Sequence, residues 1–260
     1  MAEETKTCTG NYGNKPGKIA VIGIGPGHEE ELTPRAKAWI ESADCIVGYH
    51  TYLKLIPQLI EGKDQVGTGM MQEVDRCKKA VELASEGRRV AVVSSGDPGV
   101  YGMAGLVLEI IEKLPQEKKP EAEIIAGLSA VNAAAAILGA PLMHDFAVIS
   151  LSDLLTPWDL IKKRLACAAD GDFVIALYNP RSNRRVAHLE EAREIVMAVR
   201  GKDTPVGIVR KAGREGQSMT ISTLENLIHE EVDMQTLVII GNSKTYVADG
   251  RMITPRGYML

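Results

Sequence analysis

The chain is poor in aromatic residues: FWY make up 4% of its 260 residues, with only two Phe and two Trp. That leaves too few rings for platforms on which nucleic-acid bases stack. It also has no excess of positive charge; the formal net charge is −4, so nothing suggests a polyphosphate backbone as partner. Cysteine is sparse. Cys8, Cys45, Cys77 and Cys167 form no C-x-x-C pair, which argues for free thiols in a reducing compartment and against a structural zinc site. Long apolar runs are missing too. The longest nearly apolar stretch, residues 131–143, contains Asn132 and is too short to span a bilayer. The N-terminus "MAEETKTCTGNYGNKPG" has no apolar h-region and reads as a flexible tail, not a signal peptide. No G-K-[ST] follows any glycine turn, so a P-loop is excluded. A cytoplasmic globular protein is expected.

What is present is an alternation of buried strands and amphipathic helices. "KIAVIGIG", "DCIVGY", "RRVAVV" and "EIIA" read as strands, because short β-branched runs ending in Gly or polar residues bury on both faces of a parallel sheet. Thr33 with Pro34 marks a helix start. Further helices are expected over 51–59, 74–86 and 106–114 and from Ser129. The second half differs. "DFAVISLSD" alternates, "PWDLIKKRLACAA" and 185–199 read as helices, and "DFVIALY", "PVGIVR", "SMTIST" and "TLVIIG" as strands. The expected fold class is therefore α/β with two α/β domains, a mainly parallel sheet in the first and a mixed sheet in the second. The expected divisions are a tail over 1–17 and domains over 18–142 and 143–260.

Turns at strand ends are where such folds hold ligands. "GIGPGH" has Gly23 and Gly25, but His28 stands where a dinucleotide fingerprint needs its third glycine, and Pro26 removes a backbone donor. In "SSGDPGVYGMAG", Gly96 and Gly99 let a ligand approach the backbone, and Pro98 biases Asp97 towards extended structure. Asp97 suits a hydroxyl or a cation and repels phosphate. The turn therefore fits a ligand with a ribose, a cationic centre and no phosphate; the plainer use of Asp97 is an Asx turn. "AGLSAV" repeats the arrangement with Ser129, for which helix capping is the commoner use. "MHDFAVISLSDLLTPW" places His144, Asp145, Ser150, Ser152 and Asp153 around one strand. Serines on a core face are costly without partners, so they are expected to line a cleft. "YNPRSNRR" puts Arg181, Arg184 and Arg185 just past a strand end, where guanidinium forks suit a polycarboxylate as readily as a solvated helix start.

"VIGIGPG", "SSGDPGVYGMAG", "AGLSA" and "YNPRS", in this order and spacing, resemble the tetrapyrrole (corrin/porphyrin) methyltransferases that use S-adenosylmethionine. The likeness covers nearly everything from Lys18 onward. "APLMHDFAVISLSDLLTPW" and "MITPRGY" are similar to the branch that methylates carbon 17 of precorrin-3B or cobalt-factor III with contraction of the macrocycle. The resemblance implies two α/β domains with the cofactor in the cleft between them, and a homodimer. It implies cofactor contacts at Pro26, Ser95, Gly96, Asp97, Val100, Tyr101, Ser129 and Ala130, and at Tyr178, Asn179, Ala212, Thr236 and Leu237. Ring contraction needs proton transfers, for which His144, Asp145, Ser152 and Asp153 are the candidates, His144 first. The acidic arms of the tetrapyrrole suit Arg181, Arg184, Arg185, Lys211 and Arg214; no resident metal is expected. Two other classes stay open, an NAD-dependent oxidoreductase and a non-catalytic adenosine-binding module. The first should carry an acid at the end of the second strand, where this chain has "IVGYH".

Overall fold

The structure, a computed structural model, describes residues 15–69, 71–182 and 185–259. The expected N-terminal tail and Arg184 fall largely or wholly outside the described residues. The chain divides into two compact units between Ser129 and Ala130.

The first unit is a wholly parallel sheet. Its strands are β1 (Lys18–Gly23), β2 (Cys45–Tyr49), β3 (Asp64–Thr68), β4 (Arg89–Ser94) and β5 (Glu121–Ile125), in the order β3-β2-β4-β1-β5. Successive side chains of a strand face opposite layers, and both layers are apolar here. Ile19, Val21, Val90 and Val92 pack against α4 (Glu73–Ser85) and α5 (Ala104–Glu112). Ala20, Ile22, Ala91 and Val93 pack against α1 (Pro34–Glu41), α2 (His50–Leu53) and α3 (Pro57–Ile60). The expected cap of α1 is in place: Thr33 Oγ1 accepts from Ala36 N at 3.1 Å and Pro34 opens the helix. The single helix expected over 51–59 is two short ones. Pro57 has no N–H and disfavours helical geometry at Ile56, whose φ is −131°. β3 was not anticipated; "DQVGT" has little strand character, and pairing with β2 makes it a strand.

The second unit begins with α6 (Ala130–Leu138) and β6 (Gly139–Ala140). Its main sheet comprises β7 (Phe146–Ser150), β8 (Val174–Tyr178), β9 (Pro205–Arg210), β10 (Ser218–Thr223) and β11 (Thr236–Ile240), in the order β10-β9-β11-β8-β7. Only β7 and β8 run parallel. One face packs on α7 (Trp158–Asp170) and α8 (His188–Met197) through Ile149, Leu151, Ile175 and Leu177. The other face packs on α6. β12 (Tyr246–Ala248), β13 (Arg251–Ile253) and β6 form a small third sheet.

Two expectations shift. The boundary is thirteen residues earlier than residue 143 because α6 belongs to the second unit. Its Val131, Ala134, Ala135 and Leu138 bury against Val174, Ala176 and Val209. Gly207 on β9 admits the close approach: a Cβ there would lie 2.4 Å from Leu138 Cδ1. The helix expected from residue 185 starts at His188. Ser182 and Arg185 instead exchange backbone hydrogen bonds at 3.2 Å in the preceding loop.

Among the described residues Cys45, Cys77 and Cys167 form no disulfide. Burial pushes the Cys77 thiol up to about 11, which leaves it inert. Among the described residues no helix is long and apolar enough to cross a membrane. Nor do His, Cys, Asp and Glu gather there in threes to hold a metal ion.

Candidate functional site

In the first unit the carboxyl ends of β1, β4 and β5 converge on a seam made of backbone. Gly25 and Gly96 exchange hydrogen bonds, N to O, at 3.2 and 2.7 Å. Gly25, at φ +71°, and Gly96, at φ +69°, both need left-handed geometry. Gly23 and Gly127 face the same carbonyl: a Cβ on either would lie within 2.5 Å of Gly96 O. Asp97 ties the seam together, Oδ1 accepting from Gly99 N at 2.8 Å and Oδ2 from Gly127 N at 3.1 Å. Its carboxylate thus has an Asx turn and a brace to the β5 loop, and each oxygen keeps a lone pair for another donor. Val100 and Tyr101 project beyond the seam, 36% and 56% exposed. Tyr101 is held at φ +53°, a conformation a bulky residue adopts only under constraint. Pro26, Ser95 and Ser129 lie on the same strand-end loops, so the first-unit cofactor candidates share one edge. Ala130 begins the second unit.

Asp97→Ala removes the acceptor of the exposed Gly99 N and of the part-buried Gly127 N, so it is expected to cost both stability and cofactor affinity, about 1–3 kcal/mol for the Gly127 donor left unsatisfied. Scanning calorimetry and titration with S-adenosylhomocysteine would check it; a shift in one quantity alone contradicts this dual role.

In the second unit the strand directions bring the carboxyl ends of β7, β8 and β9 to the edge where β11 begins; Thr236 pairs with Arg210 across it. Tyr178 ends β8, and its hydroxyl accepts from Val131 N at 3.0 Å, satisfying a free donor at the start of α6. Asn179 follows at φ +50°, and its amide donates to Ser150 Oγ at 2.9 Å. Ser150 Oγ also accepts from Ser152 N at 3.2 Å. Lys211, at φ +50°, starts the loop that carries Ala212 and Arg214. Thr236 and Leu237 are buried, and Thr236 Oγ1 donates to Asp233 Oδ1 at 2.8 Å. Burial would raise the pKa of Asp233, but hydrogen bonds from Thr236 and Arg210 hold it below its ordinary value. The side chains of Thr236 and Leu237 therefore serve the fold.

The four acid–base candidates separate. Ser152 and Asp153 follow β7 at this edge. His144 and Asp145 precede β7, at the opposite edge, where Asp145 O accepts from Val174 N at 3.1 Å. The His144 ring is 49% exposed and accepts from Asp145 N at 2.9 Å. A five-residue strand, on the order of 15 Å, divides the two pairs. Sequence reasoning missed His188. Its Nε2 lies 3.2 Å from Asp153 Oδ2, and its ring packs on Trp158 with centroids 4.1 Å apart. Trp158 is held in turn by Glu191 at 2.9 Å. The His188 side chain is 18% exposed and that of Asp153 37%, so Asp153 is the member open to a reactant. Thirty-five residues separate the two, and no spacing rule connects them.

Comparison with known proteins gives one consistent family. Residues 18–228 match the family described as Tetrapyrrole (Corrin/Porphyrin) Methylases. Over 242 residues the chain is 50% identical to a probable cobalt-factor III C(17)-methyltransferase of Salmonella typhimurium, covering 93% of this chain and 100% of that one. It is also 50% identical to a cobalt-factor III methyltransferase of Priestia megaterium, but spans only 45% of that longer protein. A solved structure of the methyltransferase CobJ aligns with a TM-score of 0.86 at 40% identity, covering 92% of this chain and 100% of that one.

Proposed function

The chain belongs to the tetrapyrrole (corrin/porphyrin) methylases, and from that premise we infer that it transfers a methyl group from S-adenosylmethionine to carbon 17 of cobalt-factor III or precorrin-3B, with contraction of the macrocycle. The observation that carries this reading is the 50% identity along the whole length of the Salmonella relative. A homodimeric, cytoplasmic enzyme of cobalamin biosynthesis is part of the proposal.

The first-unit seam fits this cofactor. Its surface is largely backbone and glycine, and Asp97 adds a carboxylate to it. That chemistry suits hydroxyls and a cation and is wrong for a pyrophosphate. β2 ends at Tyr49, so no carboxylate stands there to hold a ribose as the acid of an NAD site does. Ser95, Gly96, Asp97, Val100, Tyr101 and Ser129 would hold the cofactor from this unit. When bound, the cofactor supplies a methyl group already activated on a sulfonium. The protein's share of that step is alignment, worth several kcal/mol. Contraction additionally requires protons to move; in this reading Asp153 takes or returns one, and His188 orients it.

The test is to incubate the protein separately with cobalt-factor III and precorrin-3B, each with methyl-labelled S-adenosylmethionine. One added methyl on a contracted product is expected from at least one macrocycle. Label at another ring carbon would assign a different methylase step. No label, together with calorimetric binding of NAD and not of S-adenosylhomocysteine, would return the chain to the oxidoreductase class.

A further inference from the structure

Four arginines are buried among the described residues: Arg76, Arg88, Arg185 and Arg200. Three have strong oxygen partners. Arg200 donates to Gly241 O and Phe173 O at 2.6 and 2.5 Å. Arg88 pairs with Asp64, and Arg76 donates to Thr68 Oγ1 and to Gly69 O. Arg185 is different. It is 7% exposed, and among the described residues its Nη1 reaches only Ser152 Oγ, at 3.4 Å. Its Nη2 reaches only the sulfur of Met234 among those residues, also at 3.4 Å. Nε is buried and makes no hydrogen bond among the described residues. The acids of the neighbouring loops are committed elsewhere: Asp153 to His188, and Glu231 and Asp233 to Arg210.

A guanidinium cannot shed its proton, and a buried charge that no opposite charge meets is expensive. A long contact to a hydroxyl and another to a thioether recover little of that cost. The backbone nevertheless fixes the residue firmly: Arg185 N donates to Ser182 O and Oγ at 3.2 and 3.1 Å. Among the described residues the fold therefore leaves a fork-shaped cation uncompensated beside the loop that carries Asp153. Met234 lies against it and is 42% exposed. Its unbranched side chain is easily displaced, and a carboxylate would be a far better acceptor than its sulfur.

We propose that Arg185, with Ser152 beside it and Met234 as a displaceable cover, binds one carboxylate arm of the tetrapyrrole. This rests on the substrate class proposed above, and adds where an arm is anchored. A carboxylate takes two parallel N–H donors from a guanidinium, so one anchored arm would orient the macrocycle relative to Asp153.

Uroporphyrin III, a tetrapyrrole with eight carboxylates, serves as the probe, titrated through its visible absorbance. Arg185→Met and Arg185→Gln remove the charge and keep an unbranched stem. Each is expected to weaken uroporphyrin binding about 10- to 100-fold, while affinity for S-adenosylhomocysteine holds. Arg185→Met should also leave the thermal midpoint unchanged or raised, because an apolar side chain replaces an unpaired buried charge. A residue kept for the fold would do the reverse. Either variant folding and binding uroporphyrin as tightly as the parent protein overturns the proposal. So does a failure of both to fold. If the parent protein binds S-adenosylhomocysteine but no uroporphyrin, the substrate class itself is wrong and the anchor falls with it.

Discussion

Gly127→Ala is expected to lower the thermal midpoint and the affinity for S-adenosylhomocysteine together. A Cβ at this position would lie 2.3 Å from Gly96 O and 2.7 Å from Gly23 C. Both are backbone atoms, so no side-chain rotation relieves the clash. The ends of β1, β4 and β5 must move apart, at a cost near the upper end of the roughly 1–3 kcal/mol seen for overpacking. At about 2–4 °C per kcal/mol for a chain of this size, the midpoint should fall by roughly 5–10 °C. The same shift pulls Gly127 N from Asp97 Oδ2, now at 3.1 Å, so the seam that would hold the cofactor loses its brace. Affinity should drop at least about tenfold, the equivalent of one lost charge-assisted bond. Gly105→Ala is the control. A Cβ there meets nothing within 4 Å, and the position is helical, so the change should be neutral or stabilising by up to about 1 kcal/mol. Calorimetry on both variants decides the matter; equal behaviour of the two would mean that the seam is not tightly packed.

Asp153→Asn carries the largest expected effect on turnover. If Asp153 moves a proton during contraction, its amide should lose about 10²–10⁴-fold in kcat, with cofactor affinity unchanged. Methylated, uncontracted macrocycle should accumulate if methylation comes first, as read by mass spectrometry. His188→Ala should lose part of the same activity, and His188→Gln, whose amide also donates to Asp153, should restore some of it. His144→Ala should stay within a few-fold of the parent, because His144 lies at the far edge of the sheet from Asp153. A large loss in His144→Ala beside an active Asp153→Asn would reverse this assignment.

The local signals were strong where the backbone itself was constrained. The glycine turns after β1, β4 and β5 were visible as turns, since few sequences place Gly, Asp and Pro there without a structural demand. The apolar runs of β1, β2 and β4 declared a sheet buried on both faces, and α7 and α8 declared their apolar sides by period. Asp97 was recognised as an acceptor. That it braces Gly127 was not visible, because the two are thirty residues apart and only parallel pairing of β4 and β5 with β1 brings them together.

The sequence by itself determined the α/β class, the contrast between a parallel and a mixed sheet, the family and the strand-end loops that carry most candidate residues. These follow from period, β-branching and turn chemistry, all of which act over a few residues. Tertiary structure alone decided which of those residues share an edge. Strand direction separated His144 and Asp145 from Ser152 and Asp153, although all four stand within ten positions of one another. Packing of α7 against α8 brought Trp158 and His188 together and set His188 against Asp153. Burial turned Arg185 from one member of a basic run into an enclosed cation. Burial and strand pairing depend on contacts between distant segments, and those are properties of the folded chain, which no local pattern contains.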